Sequence, residues 1–188
     1  MTMVAGAFYW LSYIYPVNSI TIRRASASDA ELIADLSRQS FYETFASMNT
    51  AEDMELFLSK QFSREILIKE VEEVDGIFLL AFDGEEAVGY ARLREGDQHP
   101  EFNNELAIEI ARLYATKGSI GKGVGKELMQ ESIRIARDMK RTIIWLGVWE
   151  KNDRAIAFYN KWGFEKFAEH DFVLGNDVQR DWLMYKKM

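Results

Sequence analysis

The 188-residue chain has no cysteine, two prolines and two histidines, and its basic residues are outnumbered. Without cysteine there are no disulfides, thiolate metal sites, thiol nucleophiles or cysteine redox switches, so a reducing compartment is permitted and the cytoplasm is the expected location. Two prolines and 12 glycines exclude collagen-like and linker-dominated architectures. With 23 Lys+Arg against 30 Asp+Glu the net charge is -7, the wrong sign for coating nucleic acid or an anionic membrane surface. Neither partner is expected, and a cationic small molecule suits the balance better. The uncharged run from Met3 to Val17 has 15 residues and includes Pro16, short of the roughly 20 that span a bilayer. With no positive segment before it and no clear small-x-small site after it, a secretory signal is not expected either. Residues 1–17 are therefore read as an apolar extension, whether an extra strand, an interfacial segment or the product of an upstream start codon. What remains, residues 18–188, is one domain: 48% of the chain is apolar and 13% aromatic, enough for a single packed core.

Periodicity orders the elements. Ile20 to Arg23 alternates as a strand, and Ser28-Asp29 caps an apolar-periodic helix through Leu32, Ile33, Leu36, Phe41 and Phe45. A second helix starts at Asn49-Thr50 and a third runs near Ser63 to Glu73. Ile77–Phe82 and Ala87–Leu93, separated by Asp83-Gly84, predict an antiparallel hairpin. Leu106 to Tyr114 reads as a strand, followed by a glycine-rich loop and a helix carrying Val124, Leu128, Ile135 and Met139. Thr142–Trp149 is a buried strand and Asp153–Trp162 a short helix, and Glu165–Val173 and Gln179–Lys186 form a closing antiparallel pair.

The loop from Ala115 to Lys126 (ATKGSIGKGVGK) holds four glycines, three lysines and no acid in an acidic chain. Glycine lets backbone N–H groups approach an anion, and the helix starting near Val124 adds its positive end, so a phosphate or pyrophosphate is expected here. The loop is not a Walker motif, because Glu127 follows Gly125-Lys126 and Ile120 stands at the first-glycine position. It also fails the G-x-G-x-x-G spacing of a dinucleotide fold.

A second constellation follows the next strand: Asn152-Asp-Arg-Ala-Ile-Ala-Phe-Tyr159, then Lys-Trp-Gly-Phe164. The ordered pair of G-K-G-V-G and N-x-x-A-I-x-F-Y-x-x-x-G-F resembles the GCN5-related N-acetyltransferase superfamily over residues 18–188. The resemblance implies a mixed α/β fold: a mostly antiparallel sheet of six or seven strands, splayed at its centre between the strands ending at Tyr114 and Trp149, with about four flanking helices. It implies acetyl-coenzyme A as cosubstrate and no metal. In this likeness the backbone of Leu113 and Ala115 pairs with pantetheine, and Gly121, Lys122, Gly123, Val124, Gly125 and Lys126 cradle the pyrophosphate. Asn152 hydrogen-bonds the coenzyme, with Ala155 and Phe158 beside it. One departure is Ile120, where the family carries Gln or Arg.

Acetyl transfer to an amine needs a base, because an alkylammonium titrates near 10.4, and an acid for the departing thiolate, which titrates near 8.5. Tyr159 matches the family tyrosine beside the sulfur and is the expected acid. Glu109, in the strand before the loop, resembles in its spacing to Gly123 the catalytic glutamate of the histone-acetylating branch and is the expected base, acting through water. Its alternative is a solvated strand carboxylate. His99 is expected to be solvated, and His170 to make a structural hydrogen bond. The segments Phe41–Phe45, Asn49–Asp53 and Leu174–Asp181 also resemble the bacterial Pai-type polyamine acetyltransferases. That likeness makes Phe41, Glu43 and Asp53, with Glu52, the expected acceptor-binding residues and a polyamine or similar small cationic amine the expected acceptor. The amine would attack directly in a ternary complex, since no cysteine can carry the acetyl group. A coenzyme A-binding sensor, or acetylation of a protein N-terminus, a lysine or an aminoglycoside, is the alternative, and a homodimer stays open.

Overall fold

The structure is a computed structural model that describes residues 20–73, 76–95, 99–103 and 105–188. The apolar segment read at residues 1–17 lies outside them.

Among the described residues, seven strands and five α-helices follow in the order β1 (Ile20–Arg24), α1 (Ala30–Phe45), α2 (Ala51–Lys60), α3 (Arg64–Glu72), β2 (Gly76–Asp83), β3 (Glu86–Arg94), β4 (Ala107–Ala115), α4 (Val124–Asp138), β5 (Ile143–Trp149), α5 (Asp153–Lys161), β6 (Glu165–Leu174) and β7 (Asp177–Lys187). They form one sheet in the order β1-β2-β3-β4-β5-β7-β6. Every pairing is antiparallel except that of β4 with β5. The expected mixed fold is present, with five helices where about four were expected.

Local chemistry sets the helix starts. Thr50 Oγ1 accepts the Asp53 N–H (3.1 Å) at the head of α2, and Ser63 Oγ accepts the Ile66 N–H (3.3 Å) at the head of α3. The expected cap of α1 by Ser28-Asp29 takes another form. Asp29 ends a one-turn 3-10 segment whose cap is Ser26, and its carboxylate accepts the Ser26 N–H (2.9 Å) and the Arg23 guanidinium (2.7 and 2.8 Å).

The sheet has a filled core on each face. On one face α4 and α5 bury Leu128, Met129, Ile133, Ile156 and Tyr159 against Leu79, Ala91, Ile108 and Leu146. On the other, α1 to α3 bury Phe41, Met54, Phe57, Phe62 and Leu67, with Ile33, Leu36 and Tyr90 alongside. Ion pairs bind α3 to this face, since Glu70 accepts from both Arg92 (2.8 Å) and Arg112 (2.5 Å).

Candidate active site

The site is an opening within the sheet. β4 and β5 share register only at Ala107, Ile108 and Glu109 against Ile143, Ile144 and Trp145. Beyond that point β4 stays on β3 as far as Ala115, and the Thr116 N–H donates to the Val88 carbonyl (2.9 Å). β5 stays on β7 along all seven of its residues. The two strands are thus drawn apart, leaving a cleft of about 760 Å³ between them. Strand edges that face each other without pairing leave backbone donors and acceptors for a ligand to satisfy. The expected splay is where the sequence placed it.

One end of the cleft is built from the glycine loop and the start of α5. Gly121 (φ +85°) and Gly123 (φ +92°) lie in the left-handed region, where a Cβ would be strained. They turn the chain into α4, which begins at Val124, and Gly125 and Lys126 of its first turn line the cleft. Because the first intrahelical bond runs from the Glu127 N–H to the Gly123 carbonyl (3.0 Å), the preceding amides have no partner within the helix. Leu113, Ala115, Ile120, Gly121, Gly123, Gly125 and Lys126 line the cleft. Val124 is buried in the core, so its amide, rather than its side chain, is what it can offer a ligand. Asn152, Ala155, Phe158 and Tyr159 line the same end, and Asn152 Oδ1 accepts the Ala155 N–H (3.2 Å) as the cap of α5. Tyr159 is 8% exposed, and burial pushes its hydroxyl up to about 12, so it holds its proton throughout the neutral range.

The other end is an aromatic chamber closed by polar groups. Phe41 stacks on Phe57 with centroids 4.7 Å apart and planes at 20°, and Phe172 meets Phe57 edge-on at 5.6 Å. Phe41, Phe45, Phe57, Phe62 and Phe172 line it, with Glu70, Glu109, His170 and Asp181 as its acidic and imidazole groups. Glu109 stands at the last paired position of β4 and is ion-paired with Arg94. His170 Nε2 and Asp181 Oδ2 are 3.8 Å apart. Burial pushes the Asp181 carboxyl up, while His170 pulls the other way.

Several expected residues are placed elsewhere. Glu43 is not in the chamber: its Oε2 accepts the Lys117 N–H (2.7 Å), bracing the glycine loop from α1. It lines a smaller pocket with Lys117, Ile120, Lys151, Asn152 and Arg154. Asp53 also misses the chamber, because its Oδ1 accepts the Asn176 N–H (2.8 Å) and ties α2 to the β6–β7 turn. Glu52 sits exposed in the first turn of α2, outside the lining. Glu43 lies in the last turn of α1 and Asp53 in the first turn of α2, and the N–H groups that hold both carboxylates belong to loops. His99 is half-buried and packs edge-on to Phe167 at 5.0 Å and 89°. His170 Nε2 stands 3.8 Å from Asp181 Oδ2, beyond ordinary hydrogen-bond distance.

The pairing of His170 with Asp181 is what reading the sequence missed. A two-residue turn at Gly175-Asn176 would have paired Leu174 with Asp177, and counting back along the hairpin sets His170 opposite Asp181, as observed. Ending one strand at Val173 and starting the next at Gln179 left that register open.

A sheet parted at its single parallel junction, with an amide-rich glycine turn at one end of the gap and a buried tyrosine in its wall, defines an acyl-transfer fold of the N-acetyltransferase type. The chain belongs to the acetyltransferase (GNAT) family, whose pattern matches residues 35–164. It is 35% identical over 173 residues to an uncharacterised N-acetyltransferase from the pepI 3′ region of Lactobacillus delbrueckii subsp. lactis, covering 92% of this chain and 99% of that one. It is 28% identical to the spermidine N(1)-acetyltransferase of Thermoplasma acidophilum over 83% of this chain and 96% of that one. The crystal structure of the PaiA N-acetyltransferase of Thermoplasma acidophilum in complex with coenzyme A superposes with a TM-score of 0.71 at 27% identity, covering 90% of this chain and 99% of the other.

Proposed function

We propose that the protein moves the acetyl group of acetyl-coenzyme A to the primary amine of a small cationic acceptor, a polyamine being the first choice, by direct attack in a ternary complex. The observation that carries this reading is the β4–β5 gap, which runs from the amides of Gly121–Lys126 past Tyr159 into the aromatic chamber. An extended ligand with a phosphate-bearing end fits that shape and chemistry: the unpaired edge of β4 from Ile110 to Ala115 meets amide groups along its length, and the glycine turn meets the charge. The Thermoplasma relative named for spermidine supports the choice of acceptor.

In this reading acetyl-coenzyme A supplies the activated thioester. The backbone of Leu113 and Ala115 aligns it along β4. The amides of Gly121 to Lys126, with the side chains of Lys122 and Lys126, hold its pyrophosphate, and Asn152, Ala155 and Phe158 close the far side. Tyr159 keeps a protonated hydroxyl beside the leaving sulfur and delivers that proton as the thiolate departs. Phe41 and its aromatic neighbours carry the acceptor's methylene chain. Glu109, held by Arg94 at the closed end of the gap, orders water there. The cytoplasm, where acetyl-coenzyme A is at hand, is the compartment this reading favours.

Thiol release from acetyl-coenzyme A, measured with spermidine and with an uncharged-tail amine of similar length at two salt concentrations, tests the proposal. Spermidine should be the better substrate, with a Michaelis constant that rises as salt shortens the Debye length to about 8–10 Å. Equal, salt-insensitive efficiency would sink the polyamine assignment. Coenzyme binding without thiol release from any amine would favour a sensor instead.

A further inference from the structure

The chamber contains two acidic side chains that are already neutralised and one that is not. Glu70 is held by Arg92 and Arg112, and Glu109 by Arg94. Asp181 pairs with no lysine or arginine among the described residues, and the ionisable group beside it is the imidazole of His170. The nearby Arg180 turns to the opposite face of the hairpin, where it binds Glu169 (3.1 Å) and Asp171 (3.3 Å).

β5 leaves a hole in front of this pair. Gly147 is in register with Leu183, two pairs along from Trp149 and Asp181, so all four point to the α1 face of the sheet. A Cβ built on Gly147 would lie 3.6 Å from Asp181 Oδ2 and 3.8 Å from His170 Nε2. The two acceptor atoms are 3.8 Å from each other, too far for a hydrogen bond between them. A nitrogen set in the space above Gly147 can donate to both at once.

We propose that Gly147, His170 and Asp181 form a notch that receives the acceptor's primary ammonium, with Asp181 Oδ2 and His170 Nε2 accepting its N–H groups and His170 taking its proton. The inference rests on the acetyl-transfer reading above and gives that site its catalytic base. Its position suits the chemistry. Tyr159 packs in the core on the α4 and α5 face, whereas Trp149, the sheet partner of Asp181, meets Phe45 of α1 edge-on at 6.1 Å. Proton removal and proton delivery are therefore assigned to side chains on opposite faces of the sheet, with the gap that would hold the acetyl group between them.

The step balances. The ammonium gives one proton to His170 and its freed lone pair bonds the acetyl carbon. The carbon–sulfur bond then breaks, the thiolate takes the Tyr159 proton, and the second nitrogen proton restores the tyrosine. His170, with a side chain 52% exposed, passes its proton to solvent. The sum is an acetylated amine, free thiol and one released proton.

Gly147→Ala gives the cleanest test, because the new methyl makes contacts of 3.6–3.8 Å, ordinary van der Waals distances, yet fills the notch. It should keep the melting-temperature rise caused by coenzyme A and lose acetylation of spermidine by about 10²-fold in kcat/KM. His170→Ala should lower kcat on the order of 10²-fold, with activity partly restored by added imidazole, and Asp181→Asn should act mainly on the Michaelis constant for amine. Full activity of Gly147→Ala, or of both His170→Ala and His170→Gln, would overturn the proposal, as would a lack of imidazole rescue. A wild-type protein with no coenzyme response would instead strike at the acetyl-transfer reading. The notch is then judged by the ring resonances of the two histidines during spermidine titration: a shift of His170 with His99 unmoved supports it, and no shift of His170 overturns it.

Discussion

The two ends of the cleft are built in opposite ways. The end assigned to the coenzyme comes from two short continuous stretches, 113–126 and 152–159, and works largely through backbone groups whose direction is set by a glycine turn and two helix starts. The chamber at the other end draws Phe41 and Phe57 from the early helices and Phe172 and Asp181 from the last two strands, residues up to 140 positions apart in the chain. A backbone cradle depends on local conformation and tolerates many side chains. A chamber of side chains depends on which distant elements the sheet brings face to face.

The largest effect that would sharpen this contrast is expected from Gly123→Asp. It places a side chain at φ +92° and a carboxylate against the anion cradle. A ligand at 100 times its dissociation constant stabilises by about 2.7 kcal/mol, or about 5–10 °C in a domain of this size. The variant should lose that coenzyme-induced shift completely in a thermal scan while leaving the acceptor chamber intact. A retained shift would break the comparison at its root.

Next comes Tyr159→Phe, which keeps the buried ring and removes the hydroxyl. Turnover should fall by about 10²-fold while coenzyme affinity barely changes. Because burial holds the wild-type hydroxyl at about 12, Tyr159 stays protonated from neutral pH to about 10. It should therefore impose no alkaline loss of kcat in that range, and a loss centred near 8 that disappears in the phenylalanine variant would contradict its place as the acid.

Glu43→Gln separates the two ends most directly. Glu43 braces the Lys117 amide, so its loss should raise the Michaelis constant for acetyl-coenzyme A about threefold and leave that for amine unchanged. The reverse pattern would return Glu43 to the acceptor site, where the charge argument first put it. The smallest effect is expected from Thr50→Ala, which removes the cap of α2 at a cost of about 1 kcal/mol, or 2–4 °C. Since α2 carries Phe57 into the chamber, any kinetic change should appear in the amine constant alone.

What the sequence by itself determined is nearly the whole order of elements and the glycine-loop end of the cleft, the end proposed for the coenzyme. Alternation along β2 and β3, the tight turn after Asp83, which falls at Gly84-Glu85, and the glycines between β4 and α4 act within a few residues of themselves, so their consequences are local and readable. Tyr159 was legible for the same reason, being seven residues from the Asn152 cap on one short helix. The tertiary structure alone decided the aromatic chamber proposed for the acceptor. Acidic charge on early helices pointed to Glu43 and Asp53, yet a carboxylate goes to whichever N–H the fold brings near, and those belonged to the glycine loop and the β6–β7 turn. Sheet register set His170 across from Asp181 and laid both beside the bare backbone of Gly147. That meeting depends on the pairing of β5, β6 and β7, in which one residue of slip would turn each of these side chains to the opposite face.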